Sequence, residues 1–373
     1  MTRPTLTLAI GKALASVLVL VLWSHIASAN TGGTQLKTVT FGNTKDGTTV
    51  DLFTCTNEHG VVLKMIDYGA IVVSLETPDR DGKLANIILG FETIGGYLQR
   101  HPYFGATVGR YCNRIARGKF QLDGKSYTLA TNNDPNHLHG GNVGFDMKMW
   151  TAKPFQTDQG VGVKFTLKSP DGDEGYPGTL TAVATYTLTN QNELIVELEA
   201  ETDQATHVNL TNHNYWNLNG AGNGTVLEHE LTIAADQYLP VDDTLIPTGK
   251  KAPVADTPLD FRTAHAIGSR IGQLGGDPGG YDHCYVLRPQ GDGMHFAARV
   301  KDPKSGRTME IHTTQPGLQF YTGNFLDGGE GNGGYQKHGG FCLETQHYPD
   351  SPNQSHFPST VLRPGEKYRH VTI

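Results

Sequence analysis

Thr179-Leu180-Thr181-Ala182-Val183-Ala184-Thr185-Tyr186-Thr187-Leu188 alternates threonine and other small residues with apolar ones, and Glu193-Leu194-Ile195-Val196-Glu197-Leu198-Glu199-Ala200 resumes after Thr189-Asn190-Gln191-Asn192. A period of two sends successive side chains to opposite faces of a strand, so two such runs joined by a polar turn predict an antiparallel pair. The pattern continues outward. Val161, Val163, Phe165 and Leu167 alternate, and Val50 to Cys55, Val61 to Ile66, Ile71 to Glu76 and Asn86 to Phe91 are short runs bounded by turn residues. Phe120-Gln121-Leu122 and Lys125-Ser126-Tyr127-Thr128-Leu129 flank Asp123-Gly124, a pair suited to the positive φ angles of a two-residue type I′ hairpin turn. One helix is predicted after the N-terminal region, Arg262 to Leu274, with Ala264, Ile267, Ile271 and Leu274 on one face. Many short strands with few short helices predict an all-β fold, a large antiparallel β-sandwich, with two barrels as the alternative.

Composition agrees with this reading, since 46 glycines and 19 prolines in 373 residues supply turns for many short elements. Arg3 and Lys12 precede the apolar run Ala13 to Trp23, and Ala27-Ser28-Ala29 has the small residues of a cleavage site. Residues 1–29 therefore read as a signal peptide, and 30–373 as a single domain exported to the periplasm or secreted. Losing Arg3 and Lys12 would take the formal charge from -7 to -9. An acidic mature chain is ill suited to phosphate backbones, so no nucleic-acid partner is expected, and no second apolar run is long enough to span a membrane.

Cys55, Cys112, Cys284 and Cys342 lack paired metal-ligand spacing, which argues against zinc and for buried free thiols. The glycine-rich run 328–334 lacks the strand before and helix after that a phosphate loop needs, and reads as a flexible surface loop. Asp171-Gly172-Asp173-Glu174-Gly175 begins like a calcium loop, but Tyr176-Pro177-Gly178 breaks the ligand pattern, leaving a plain turn.

Chemistry gathers in a few segments. Asn209-Leu210-Thr211-Asn212-His213-Asn214-Tyr215-Trp216 sets a histidine among amides and rings with no lysine or arginine near it. Amides pair with hydroxyls, rings offer flat apolar faces, and imidazole trades a proton near neutral pH, which together suit a neutral sugar. Asn113-Arg114, Leu138-His139-Gly140-Gly141 and Tyr281-Asp282-His283 have a similar character. Glu344 lies in the apolar run Phe341-Cys342-Leu343, where a carboxylate is costly to bury without a partner or a purpose.

In this order, these segments resemble the aldose 1-epimerase (galactose mutarotase) family. The likeness runs from about Leu36 to the C-terminus and includes the Asp171 to Gly178 element, Tyr238-Leu239-Pro240-Val241-Asp242, and Thr313-Thr314-Gln315-Pro316-Gly317 before Tyr321-Thr322-Gly323-Asn324. The resemblance implies an isomerase that interconverts the α and β anomers of free aldohexoses by opening and reclosing the ring. It needs no cofactor and no metal. By motif, Glu344 is the base and His213 the acid, while Asn113, Arg114, His139, Asn214, Tyr215, Asp282 and Gln315 bind sugar hydroxyls or polarise the ring oxygen. The open-chain sugar must turn about C1–C2, so the pocket is expected to grip C3, C4 and C6. A carboxylate such as Asp282 is expected to raise the His213 pKa. Tyr111-Cys112 and Trp216, which depart from the family pattern, are expected at the pocket wall, whereas Asn212 and His283 are expected to point away from it. A small aldose is the expected partner of a monomer or weak dimer.

Three other readings remain at this stage. A binding protein without turnover would not need both Glu344 and His213. A retaining glycosidase could use Asp282 and Glu344 as carboxylates roughly 5 Å apart. A hexose-6-phosphate epimerase would need a basic cluster, for which the motifs offer chiefly Arg110 and Arg114.

Overall fold

In a computed structural model of the chain, residues 1–2, 33–288 and 293–373 are described, so residues 3–29 of the expected signal peptide lie outside the described residues. The main body is a stack of antiparallel sheets. A five-stranded sheet runs through Gln35–Asn43, Thr49–Thr56, Val62–Ile66, Ile71–Pro78 and Leu84–Asn86 in sequence order. A nine-stranded sheet is built around Gly160–Ser169, Leu180–Thr189 and Leu194–Thr202, the runs whose alternation predicts them. Val161, Val163, Phe165 and Leu167 are buried along Gly160–Ser169, and Phe165 meets Phe53 of the first sheet edge-on at 6.0 Å. Each such side chain, once buried, contributes roughly 1.5–3 kcal/mol, which fixes register because a one-residue slip would turn the apolar row to solvent.

A third sheet carries the site. It runs in the order Ala252–Pro253, Ala235–Tyr238, Asp282–Leu287, Gly317–Tyr321 and Cys342–Gln346. Its last three strands pair so that Cys284 lies opposite Gln319 and Gln319 opposite Glu344. Opposed residues share a face, so Asp282, Gln319 and Glu344 project together while Leu318, Phe320 and Leu343 pack into the main core.

The hairpin at Asp123-Gly124 forms as predicted, with φ of 51° and 76° at the two turn residues and strands Lys119–Leu122 and Lys125–Thr128 paired. The helix predicted over Arg262 to Leu274 does not form. Residues His265–Ala266 instead pair with Glu230–Ile233, followed by the 3-10 turns Ile267–Ser269 and Ile271–Gln273. Only Ile267 of that run is fully buried, and its main-chain N–H donates to the His229 carbonyl, so a sheet edge replaces the helical ladder. The one α-helix among the described residues, Ile94–Tyr97, is a single turn.

All four cysteines are buried and unpaired. In the acidic turn, Asp171 accepts the Gly178 amide, and Asp173 accepts from Ser169 and pairs with Lys148, so these carboxylates serve structure. Arg110 is 2% exposed and donates to the carbonyls of Pro177, Gly178, Ser169 and Pro170, which takes it out of any anion site.

Candidate active site

His213 and Glu344, 131 residues apart in sequence, meet because two strands are pinned together at Trp216 and Phe341. These two exchange both main-chain hydrogen bonds, at 2.7 and 3.0 Å. Three residues back along one chain and three forward along the other brings His213 beside Glu344. Their Nε2 and Oε2 atoms are 3.6 Å apart, and the two residues are 4% and 3% exposed.

The imidazole is held on every side. Its main-chain amide donates to Ala106, its ring stacks on Tyr215 at 5.1 Å and beneath Tyr103 at 5.8 Å, and its Nδ1 faces the Cys342 thiol at 3.6 Å. His139 stands edge-on at 5.2 Å. The Asn113 amide donates to His139 Nδ1, so a neutral His139 carries its proton on Nε2 and offers a donor. Both residues lie in left-handed backbone, φ 61° and 50°, strain of a kind that gathers at working sites. Gly140 follows because the chain passes so close to the Gly109 carbonyl that a Cβ would lie 1.9 Å from its oxygen.

Across the cleft, Arg114 Nε donates to Asn133 and its Nη1 lies 3.9 Å from Asp282, whose other oxygen accepts from Gln319 at 2.6 Å. Glu344 Oε2 and Gln319 Oε1 are buried without a hydrogen-bond partner among the described residues. Unsatisfied buried oxygens in a cleft are sites for a ligand's donors. The cleft is a cavity of about 630 Å³, a size ordinary for small-molecule sites. Its rim includes Phe325, 59% exposed, and Gly329, Gly331 and Asn332 of the glycine-rich run read from sequence as a plain surface loop.

Of the residues singled out from sequence, His213, Glu344, Asn113, Arg114, His139, Tyr215 and Asp282 line this one cavity. Two do not. Asn214, alternating with its neighbours, faces a second cavity behind the strand, and Gln315 is buried between Tyr368 and His347. Trp216 also lines the rear cavity, while the Tyr111 hydroxyl bonds the Tyr348 carbonyl and the Cys112 thiol bonds Gln346, so none of these three touches the cleft. Asn212 points to the rear as expected, donating to Gly105 and Tyr186, and His283 accepts its own neighbour's amide. Gln319 and Tyr103 went unnoticed in the sequence. Gln319 had the same signal as Glu344, a lone polar side chain between Leu318 and Phe320. Tyr103 had none.

Burial sets the protonation of the pair. It pushes the Glu344 carboxyl well above the usual range, with Asp282 adding to the effect and Arg114 opposing it. Burial also lowers His213 to about 3, slightly opposed by its own backbone. The expected rise of the His213 pKa is therefore reversed, because desolvation dominates and Asp282 is turned to Gln319 and Arg114. His139 is likewise lowered by burial and by His213. With a raised folded pKa, Glu344 holds a proton that the unfolded chain releases above about pH 4.3, so its contribution is favourable below that and lost as pH rises through the folded value. Glu344→Gln, which cannot ionise, is expected to melt at a higher temperature than wild type near pH 8, with the gap closing towards about pH 4. Thermal unfolding at the two pH values checks this, and a lower melting temperature for the variant near pH 8 would contradict it.

His139, His213 and Glu344 each offer one atom within 4.8 Å of the others. That is wide for a tetrahedral ion, whose ligand bonds near 2.1 Å put the atoms roughly 3.4 Å apart. The neutral-pair electrostatics suit proton transfer between oxygens better than ligation.

An imidazole and a carboxyl meeting in a cleft of small-molecule size are groups of the kind that proton transfer in an isomerase requires. The family profile described as aldose 1-epimerase matches residues 51–373. The galactose mutarotase of Homo sapiens is 50% identical over 311 residues, 83% of this chain and 89% of that one. The aldose 1-epimerase of Escherichia coli is 40% identical over 335 residues, 88% and 95% of the two chains. Among solved structures, an aldose epimerase homologue from C. elegans superposes with TM-score 0.79 at 32% identity, covering 91% of this chain and 98% of that one. A galactose 1-epimerase from Lactobacillus acidophilus gives 0.80 at 30%, with the same coverage. The chain belongs to the aldose 1-epimerase family.

Proposed function

We propose that the protein is a mutarotase acting on free aldohexoses such as galactose and glucose, and that Glu344 and His213 are its proton-transfer pair. The observation that carries this is the 3.6 Å approach of Nε2 and Oε2 on the floor of a cleft walled by Asn113, Arg114, His139 and Asp282. In the forward step the Glu344 carboxylate takes the C1 hydroxyl proton as protonated His213 gives one to the ring oxygen. The C1–O5 bond breaks, C1=O1 forms, and the aldehyde turns about C1–C2. Reclosure on the other face reverses each transfer. One proton stays on the pair throughout, first on His213 and then on Glu344, so no exchange with solvent is needed.

The direction of the two pKa shifts supports this cycle. Burial favours the neutral form, carboxylic acid beside neutral imidazole, which is the state reached when the ring is open. A bound sugar's hydroxyls and the Arg114 charge favour the ionised form that begins the cycle. Arg114, Asp282, Gln319 and His139 then hold hydroxyls remote from C1. Phe325 offers the rim an apolar face for the sugar's C–H side.

Polarimetry of freshly dissolved α-galactose and α-glucose tests the reading. Loss of rotation faster than the uncatalysed rate, in proportion to enzyme, is expected. A sugar-binding protein would leave the spontaneous rate unchanged, and hydrolysis of a nitrophenyl galactoside would indicate a glycosidase instead.

We also infer export, on the strength of Arg3, Lys12, the apolar run Ala13 to Trp23 and Ala27-Ser28-Ala29. Expression of the full chain in a bacterium is expected to yield a mature protein beginning at Asn30 outside the inner membrane. An uncleaved cytoplasmic product would contradict this.

A further inference from the structure

The strand that presents His213 and Tyr215 to the catalytic cleft turns Asn212, Asn214 and Trp216 to the opposite side. The strand that presents Glu344 likewise turns Leu343 and Thr345 there. Behind both lies a separate cavity of about 620 Å³. Its lining includes Leu188, Leu194, Val196, Leu198 and Ile311 of the nine-stranded sheet together with Leu343, and Asn192, Glu193, Arg307, Glu310 and His312 are among its polar members.

Two features show that this is more than a packing gap. The first is its entrance. Strand Tyr368–Thr372 pairs with Leu194–Thr202 from Ala200 to Val196, and with Thr308–Thr313 only at Thr313. Beyond those register positions the exposed Asn192, Glu193, Thr308 and Glu310 line the cavity and open it to solvent. The half-buried Leu194 and Met309 stand at this opening. The second feature is Asn214. It is 3% exposed, and its Oδ1 is buried with no hydrogen-bond partner among the described residues. A buried amide oxygen without a partner is costly and asks for a donor.

We propose that this rear cavity is a second ligand site, for a small amphiphilic molecule whose alkyl or aromatic body lies among the leucines and whose single hydroxyl or N–H donates to Asn214 Oδ1. The volume falls within the range of small-molecule sites, and the lining mixes apolar side chains with polar ones, of which Asn214 Oδ1 and Thr77 Oγ1 are buried without a partner among the described residues. A bound molecule is separated from both proton-transfer groups only by the strands that carry them.

Calorimetric titration with 4-butylphenol, and with 4-butylanisole, which keeps the body but lacks the donor, tests the proposal. The phenol is expected to bind at one saturable site and the anisole at least tenfold more weakly. Asn214→Leu is expected to remove that difference by weakening the phenol alone. Val196→Phe, which fills the cavity, is expected to abolish binding of both, and Leu194→Phe at the entrance replaces it if circular dichroism shows that Val196→Phe does not fold. Phe325→Ala, at the rim of the catalytic cleft, is expected to leave the phenol affinity within twofold of wild type. No saturable heat with the phenol would overturn the proposal. So would affinity unchanged in both the Asn214 and cavity-filling variants, as would a loss in Phe325→Ala in their place.

Discussion

Glu344→Gln is expected to lower the turnover number for mutarotation by on the order of 10² or more while changing KM far less. Glutamine keeps the shape of the side chain and removes the buried titratable group, so the cleft and its hydroxyl contacts stay. What is lost is the ability to take the C1 proton, a deficit confined to the transition state. Because burial already pushes this carboxyl well up, the variant loses nothing in stability, and a fall in rate cannot be blamed on unfolding. Polarimetric progress curves at several sugar concentrations measure both constants. A turnover number within a few-fold of wild type would remove Glu344 from the reaction.

His213→Asn is expected to produce a fall of the same order, again on the order of 10² or more in turnover. Asparagine is chosen because it is small and polar enough to occupy the space between Tyr103 and Tyr215 without exchanging a proton. The double variant carries the sharper test. If the two groups share one proton, removing the second after the first costs little more, so the combined loss should resemble the larger single loss rather than the product of the two. A fully multiplicative loss would indicate two independent contributions and would contradict the shared-proton cycle.

Much of this architecture is legible in the amino-acid sequence. Alternation in 161–167 and 180–188 determines strands because one face of each must be buried, and Asp123-Gly124 determines a turn because few other pairs accept positive φ twice. Glu344 was conspicuous because a carboxylate amid Phe341, Cys342 and Leu343 has no structural reason of its own. The errors share a cause. Asn214 and Gln315 lie within or beside segments that carry the site, but which face a side chain takes depends on pairing partners far away in sequence. The helical pattern of 262–274 was real as a spacing, yet His265–Ala266 found a sheet edge to join. The His213 pKa was misjudged because sequence shows neighbouring charges but not depth of burial, and depth prevails here.

The central claim is that a bound sugar presents its C1 end to Glu344 and His213 together, with O1 in reach of one and the ring oxygen in reach of the other. A crystal structure with galactose bound measures this directly. The account predicts Glu344 about 3 Å from O1 and His213 about 3 Å from the ring oxygen, with Arg114, Asp282 and Gln319 on hydroxyls away from C1. A sugar seated with C1 turned towards Arg114 and Asn133, out of reach of both groups, would contradict it.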